Sequence, residues 1–321
     1  MKKTLVAFAA MAAVTGAMAE VTIFGIVDQA YGMTTTKKGT TSTKTTTVGA
    51  QYTGSELGFK GSEDLGGGMK ANFQIHFSPS TETSASPTGY QSHVGLNGDF
   101  GSVKLGQYFS PMFFNVVTYD ATGLSPFGGN VAFAHAGTVG LLSNAIQYDL
   151  PTVVPGLGVS YAMAKGEIGR PAAAATALND ISNIRLNYAT GPFSVGISTA
   201  TTKGAAGVST KDSSTGLSYD LGMAKLMYYS VSSKASTASV ASKGSNIGIS
   251  IPFGATTFNA SSSSAKTGAT QVESKGTVLQ VKHDLSKRTS LIFQNGSTKI
   301  TSGASNGDST KGSALGLWHA F

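Results

Sequence analysis

Met69-Lys70-Ala71-Asn72-Phe73-Gln74-Ile75-His76-Phe77-Ser78 decides the fold class. Successive side chains of an extended chain point to opposite sides, so Met69, Ala71, Phe73, Ile75 and Phe77 share one face and Lys70, Asn72, Gln74 and His76 the other. A wall with lipid outside and water inside requires this alternation of apolar and polar residues. The same two-residue period recurs along the chain. It predicts strands at 21–32, 51–61, 91–97, 102–108, 144–150, 158–164, 182–189, 193–201, 214–220, 224–232, 246–251, 256–264, 277–285, 289–299 and 312–321. With 69–78, these give an all-β, transmembrane antiparallel barrel of about 16 strands, a size that leaves an aqueous channel.

Composition supports a barrel over the alternatives. The chain has 321 residues, of which 12% are charged, with 41 Gly and no Cys; an ordinary soluble domain has about 25% charged residues. Mean hydropathy is only +0.04, and beyond the N-terminus no apolar run approaches the roughly 20 residues of a spanning helix. Closed barrels are the other structure that satisfies every backbone polar group in lipid. Met1 to Ala19 reads as a cleaved export signal, with Lys2 and Lys3 before an apolar middle and Ala17-Met18-Ala19 as the cleavage site. Residues 20–321 are then the barrel domain. The formal charge of +7 resides mainly in lysines scattered among Ser, Thr and Gly, which excludes a basic stripe for nucleic acid.

Short, turn-rich connections alternate with long ones. Glycine supplies the positive φ of Gly98-Asp99-Phe100-Gly101, and Ser62 to Gly67 is an acidic, glycine-rich turn. Short connections belong on the periplasmic side and long ones outside; the Thr-rich tract 34–47 reads as a mobile external loop. Ser110 to Leu142 is the exception among the long ones. It is apolar, punctuated by Pro111, Gly123, Pro126, Gly128 and Gly129, and its sole formal charge is Asp120. A connection this long is functional or misread. Inside a barrel, such a loop folds into the lumen and sets the size of the hole.

The chain resembles the trimeric general porins of Gram-negative bacteria, in particular those of β-proteobacteria, which include the neisserial porins. The resemblance is carried by Val21-Thr22-Ile23-Phe24-Gly25-Ile26-Val27-Asp28, by Leu57 to Gly66, by Val94 to Gly101 and by Gly316-Leu317-Trp318-His319-Ala320-Phe321. It implies a homotrimer in the outer membrane with an inward-folded third external loop, passing small hydrophilic solutes and inorganic ions by passive diffusion. Members commonly carry arginine where this chain has Glu56, Gln107 and Trp318. Only Arg170, Arg185 and Arg288 are arginines here, so a strong anion preference does not carry over.

By alternation, Glu56, Lys60, Lys70 and Lys104 face inward, which fixes their side of the wall but not their height. Together with Asp120, which either faces the pore or caps a turn, they are the candidate pore-constriction residues. Their balance predicts a weak anion preference at most, since Lys rings favour anions and carboxylate rings cations. Pro126, Phe127, Gly128 and Gly129 are the candidate constriction-loop residues, and the terminal Phe321 suits barrel closure and insertion. No metal spacing, phosphate-binding loop, nucleophile elbow or cofactor motif is present. The alternatives kept beside the open channel are a substrate-specific channel, an adhesin-like barrel and an outer-membrane hydrolase. Tyr108, Phe113, Phe114 and Tyr119 read as anchors of the long loop and not as a track for solutes.

Overall fold

The computed structural model describes residues 20–83, 85–135, 140–166, 180–204 and 207–321; the expected export signal and Arg170 lie outside the described residues. The strands are β1 (Glu20–Lys38), β2 (Thr41–Gly49), β3 (Glu56–Gly66), β4 (Met69–Ser78), β5 (Thr88–Gly98), β6 (Gly101–Phe109), β7 (Leu141–Asp149), β8 (Leu157–Ala164) and β9 (Asp180–Thr190). They continue as β10 (Phe193–Lys203), β11 (Ser209–Asp220), β12 (Lys225–Ala235), β13 (Ser242–Phe253), β14 (Thr256–Lys266), β15 (Glu273–Asp284), β16 (Thr289–Ile300) and β17 (Ser309–Ala320). Each pairs antiparallel with its neighbour, and β17 returns to β1 from Ile26↔Ala320 to Lys37↔Ser309. Full closure leaves no unpaired strand edge in the lipid.

The seventeen segments occupy sixteen positions around the ring. One flank of β1 is shared: its first half pairs with β3 and its second half with β2. Here the structure corrects two sequence readings. The Thr-rich tract 34–47 is a hairpin, turning at Gly39, that prolongs the wall; its β-branched residues favour extended pairing. Residues 51–55 are not strand. They leave the sheet because the buried Asp28 carboxylate accepts the N–H groups of Tyr52, Thr53 and Gly54 at 2.9, 2.9 and 3.0 Å, a cradle incompatible with ladder pairing.

Outside, the wall carries the apolar set expected from alternation, including Ile23, Ile75, Val94, Ile197, Ile247, Leu279 and Phe293, all exposed on the isolated barrel. Inside lies the connection from β6 to β7, the third at the long-loop end. Ser110 caps a short helix, α1 (Pro111–Val117), its hydroxyl accepting from Phe113 N at 3.0 Å; Pro111 at the first helical turn has no N–H to leave unpaired. The loop folds inward and buries Met112, Val116, Tyr119 and Ala132 against Ala200, Tyr229 and Val231 of the wall.

Candidate functional site: the lumen and its loop

Polar side chains of the inner wall fix the loop's path. Asn183 Oδ1 accepts from Met112 N (2.8 Å), Asn115 Nδ2 donates to Ser214 Oγ (2.9 Å), and Tyr119 Oη meets Ser194 Oγ (3.0 Å). Farther round, Gln280 Nε2 donates to Thr122 O (3.2 Å), Ser125 Oγ to Gln294 Oε1, Ser263 Oγ to Gly128 O (2.5 Å) and Asn246 Nδ2 to Gly129 O (3.2 Å). These bonds run from β9 round to β16, so the loop follows that wall and the opening lies toward β3–β8. Wall glycines make room for it. A Cβ on Gly216 would overlap the Tyr119 ring, and one on Gly312 the Phe127 ring.

Asp120 is buried and caps a turn: its Oδ1 accepts from Thr122 N, Leu124 N and Thr122 Oγ1 at 2.7, 3.1 and 3.1 Å. Burial lifts its carboxyl above the ordinary range, and these hydrogen bonds pull the other way. Its charge is therefore turned into the loop. Phe127, Gly128 and Gly129 are the part of the loop fastened to the wall, with Phe127 packed against Ala30, Val278 and Ala314; Pro126 remains exposed. On the side facing the opening stand Phe114 and Thr118 of the helix end.

The inward lysines separate by height and by partner. Lys70 follows the Gly66–Gly68 turn directly and sits at the short-turn mouth. Lys104 is 3.6 Å from Asp149 and over the Tyr108 ring at 5.4 Å. Lys60 lies midway along β3, exposed, 5.3 Å from the centre of the Phe24 ring. Glu56 lies 3.2 Å from His76 Nε2. The sequence reading missed Arg185. It shares the inner face of β9 with Asn183, midway along the strand, and its Nε and Nη2 approach Asn115 Oδ1 and Thr118 Oγ1 at 3.4 and 3.5 Å. Two-residue alternation around Arg185 was the available signal.

The three positions expected to carry arginine have local work. Trp318 Nε1 donates to Thr53 Oγ1 (3.0 Å), and Gln107 Nε2 donates to Tyr90 O (3.1 Å) while its Oε1 accepts from Ser143 Oγ (3.0 Å). Glu56 is engaged by His76. Tyr90 occupies a β-bulge opposite His76/Phe77. That bulge completes a row of rings in edge contact, Phe24–His76–Tyr90–Phe109, at 5.3, 4.8 and 4.9 Å, and Phe113 stacks on Phe109 at 4.2 Å.

A closed β-barrel that spans lipid with its outer face and holds a pinned loop across its interior is an outer-membrane channel. This chain belongs to the Gram-negative porin family, whose model matches residues 6–301. Outer membrane porin protein 32 of Delftia acidovorans is 34% identical over 243 residues, 70% of this chain and 68% of that one. The major outer membrane protein P.IB of Neisseria gonorrhoeae is 34% identical over 137 residues, covering 41% of this chain and 39% of its own. Among solved structures, the anion-selective porin from Comamonas acidovorans superposes with a TM-score of 0.80 at 26% identity, over 95% of this chain and 100% of that one. The protein is thus an outer-membrane channel for passive diffusion of small hydrophilic solutes, not an enzyme.

Proposed function

We propose that the channel has a weak anion preference supplied by Arg185 and Lys60, with Lys70 at the periplasmic mouth, the charge of Lys104 compensated by Asp149 and Glu56 set beside His76. The observation that carries this reading is the Arg185 guanidinium held against α1 at mid-wall. Cationic side chains in a water-filled constriction raise the local anion concentration without a binding site. The structurally similar Comamonas porin is anion-selective, which supports the sign. Three copies assemble, as the resemblance to trimeric porins implies. Residues 1–19 are removed on export, so N-terminal sequencing of the outer-membrane form begins at Glu20.

Reconstitution in planar bilayers under a salt gradient tests the preference. The expected reversal potential has the sign of a slight anion excess; cation selectivity overturns the proposal. The row from Phe24 to Phe113 favours a second reading, a track for solutes with a flat apolar face. Saturable, concentration-dependent block of the current by one aromatic carboxylate or sugar, with little effect of unrelated solutes, supports that reading.

A further inference from the structure

The row of rings lies along one rung of the sheet. Phe24 pairs with Gly58 and Gly58 with His76, the bulge at His76/Phe77 carries the rung to Tyr90, and the Ser92↔Gln107 register brings Tyr90 level with Phe109. Glycine at 58 leaves the space that the Phe24 ring fills. Strands of a barrel tilt by roughly 35–45°, so a row laid along the hydrogen-bonding direction advances along the pore as it passes round the wall. Both ends are inside the barrel: Phe24 shares the inner face with Lys60, and Phe109 stacks on Phe113 of α1. Phe114 continues the row 5.7 Å from Phe113 and is 38% exposed.

A cation stands at each end. Lys60 Nζ is 5.3 Å from the centre of the Phe24 ring. At the other end the Arg185 guanidinium reaches Thr118 Oγ1 at 3.5 Å, and that hydroxyl donates to the carbonyl of Phe114, one helical turn earlier. Among the described residues, neither cation is in an ion pair. The carboxylate beside the row, Glu56, is partly buried and turned to His76 at 3.2 Å. A solute suited to these features has a flat π-face and one negative group. Its ring meets successive rings in offset or edge geometry, and its carboxylate pairs with a cation at either end of the passage.

Given the reading of the rings as a solute track, we infer that the row is a path for aromatic monocarboxylates, which stack on the rings and pass their carboxylate between Arg185 and Lys60. The test uses the channel extracted from outer membranes and reconstituted in planar bilayers. Reversal potentials and current–concentration curves are measured with sodium benzoate and with sodium cyclohexanecarboxylate, which has the same charge and nearly the same size but no π-face. Benzylammonium chloride supplies the ring with the opposite charge.

Benzoate is expected to be about threefold more permeant than the saturated carboxylate, with a current that saturates as its concentration rises. F114L should lower that ratio about twofold. F24L, at the far end of the row and away from α1, should do the same, which keeps the proposal testable if F114L disturbs the loop. Equal permeability of the two carboxylates overturns the proposal, as does an undiminished ratio in both variants or benzylammonium as permeant as benzoate. Such a failure in a channel that keeps its slight anion excess leaves the open-channel reading standing, whereas cation selectivity in simple salt sinks both.

Discussion

Arg185 and Lys104 carry the same charge on the same inner surface, yet their environments assign them different weight. Lys104 has Asp149 at 3.6 Å, whereas Arg185 donates to the neutral oxygens of Asn115 and Thr118. A unit charge about 6 Å from an ion's path in water contributes roughly 0.7 kcal/mol. The charge attracts an anion and repels a cation by that amount each, so Arg185→Gln should lower the anion-to-cation permeability ratio roughly three- to tenfold, the smaller figure with salt screening, and Lys104→Gln should change it little; reversal potentials of the two variants decide this, and the reverse order would sink the assignment. Asp120 answers to a different experiment. Asp120→Ala leaves three donors of the turn without their acceptor, at about 1–3 kcal/mol. The expected signature is increased open-channel noise from a looser loop, with the reversal potential unchanged because the carboxylate does not face the pore.

At the scale of elements, the loop's position depends on what the wall lacks. The Tyr119 ring occupies the space that a Cβ on Gly216 would fill. Gly216→Ala should displace the ring and α1 with it, at an overpacking cost of about 1–3 kcal/mol. The expected outcome is a barrel that still assembles but has altered conductance; wild-type conductance would show that α1 does not depend on this glycine. The second interior element, residues 51–55, meets the loop from the other side. Tyr52 lies near Gly123, and Gln294 bridges the two segments by donating to Gln51 O (2.8 Å) and accepting from Ser125 Oγ. Sequence alternation misread this stretch as strand because nothing local marks it. Its organiser is Asp28, more than twenty residues upstream. Asp28→Ala should release it, read as faster backbone hydrogen exchange at 52–54 than at 58–61.

For the whole molecule, closure is the decisive event. Phe321 exchanges backbone hydrogen bonds with Gly25 at 3.1 and 3.2 Å, and its ring covers the place of a Gly25 Cβ. Deleting Phe321 removes two bonds at the seam, each worth about 0.5–1.5 kcal/mol. The deletion should slow the appearance of the heat-modifiable folded band on gels while leaving the conductance of assembled channels unchanged. An unchanged folding rate would count against a role for this residue in insertion.

The sequence by itself determined the barrel, because a two-residue period and turn glycines are local properties of the chain. The run Met69 to Ser78 already separates lipid from water, and Ser110 to Leu142 stands out as a loop with no lipid-facing pattern. Alternation also fixes which face each lysine occupies. Only the tertiary structure decided their roles, since height and partnership depend on register and closure across distant strands. It turned Asp120 into the loop, paired Lys104 with Asp149, left Lys70 at the mouth and brought Arg185 to α1. Long-range pairing assembled the ring row from β1, β4, β5 and β6. The spacing of residues along the chain carries no record of such contacts.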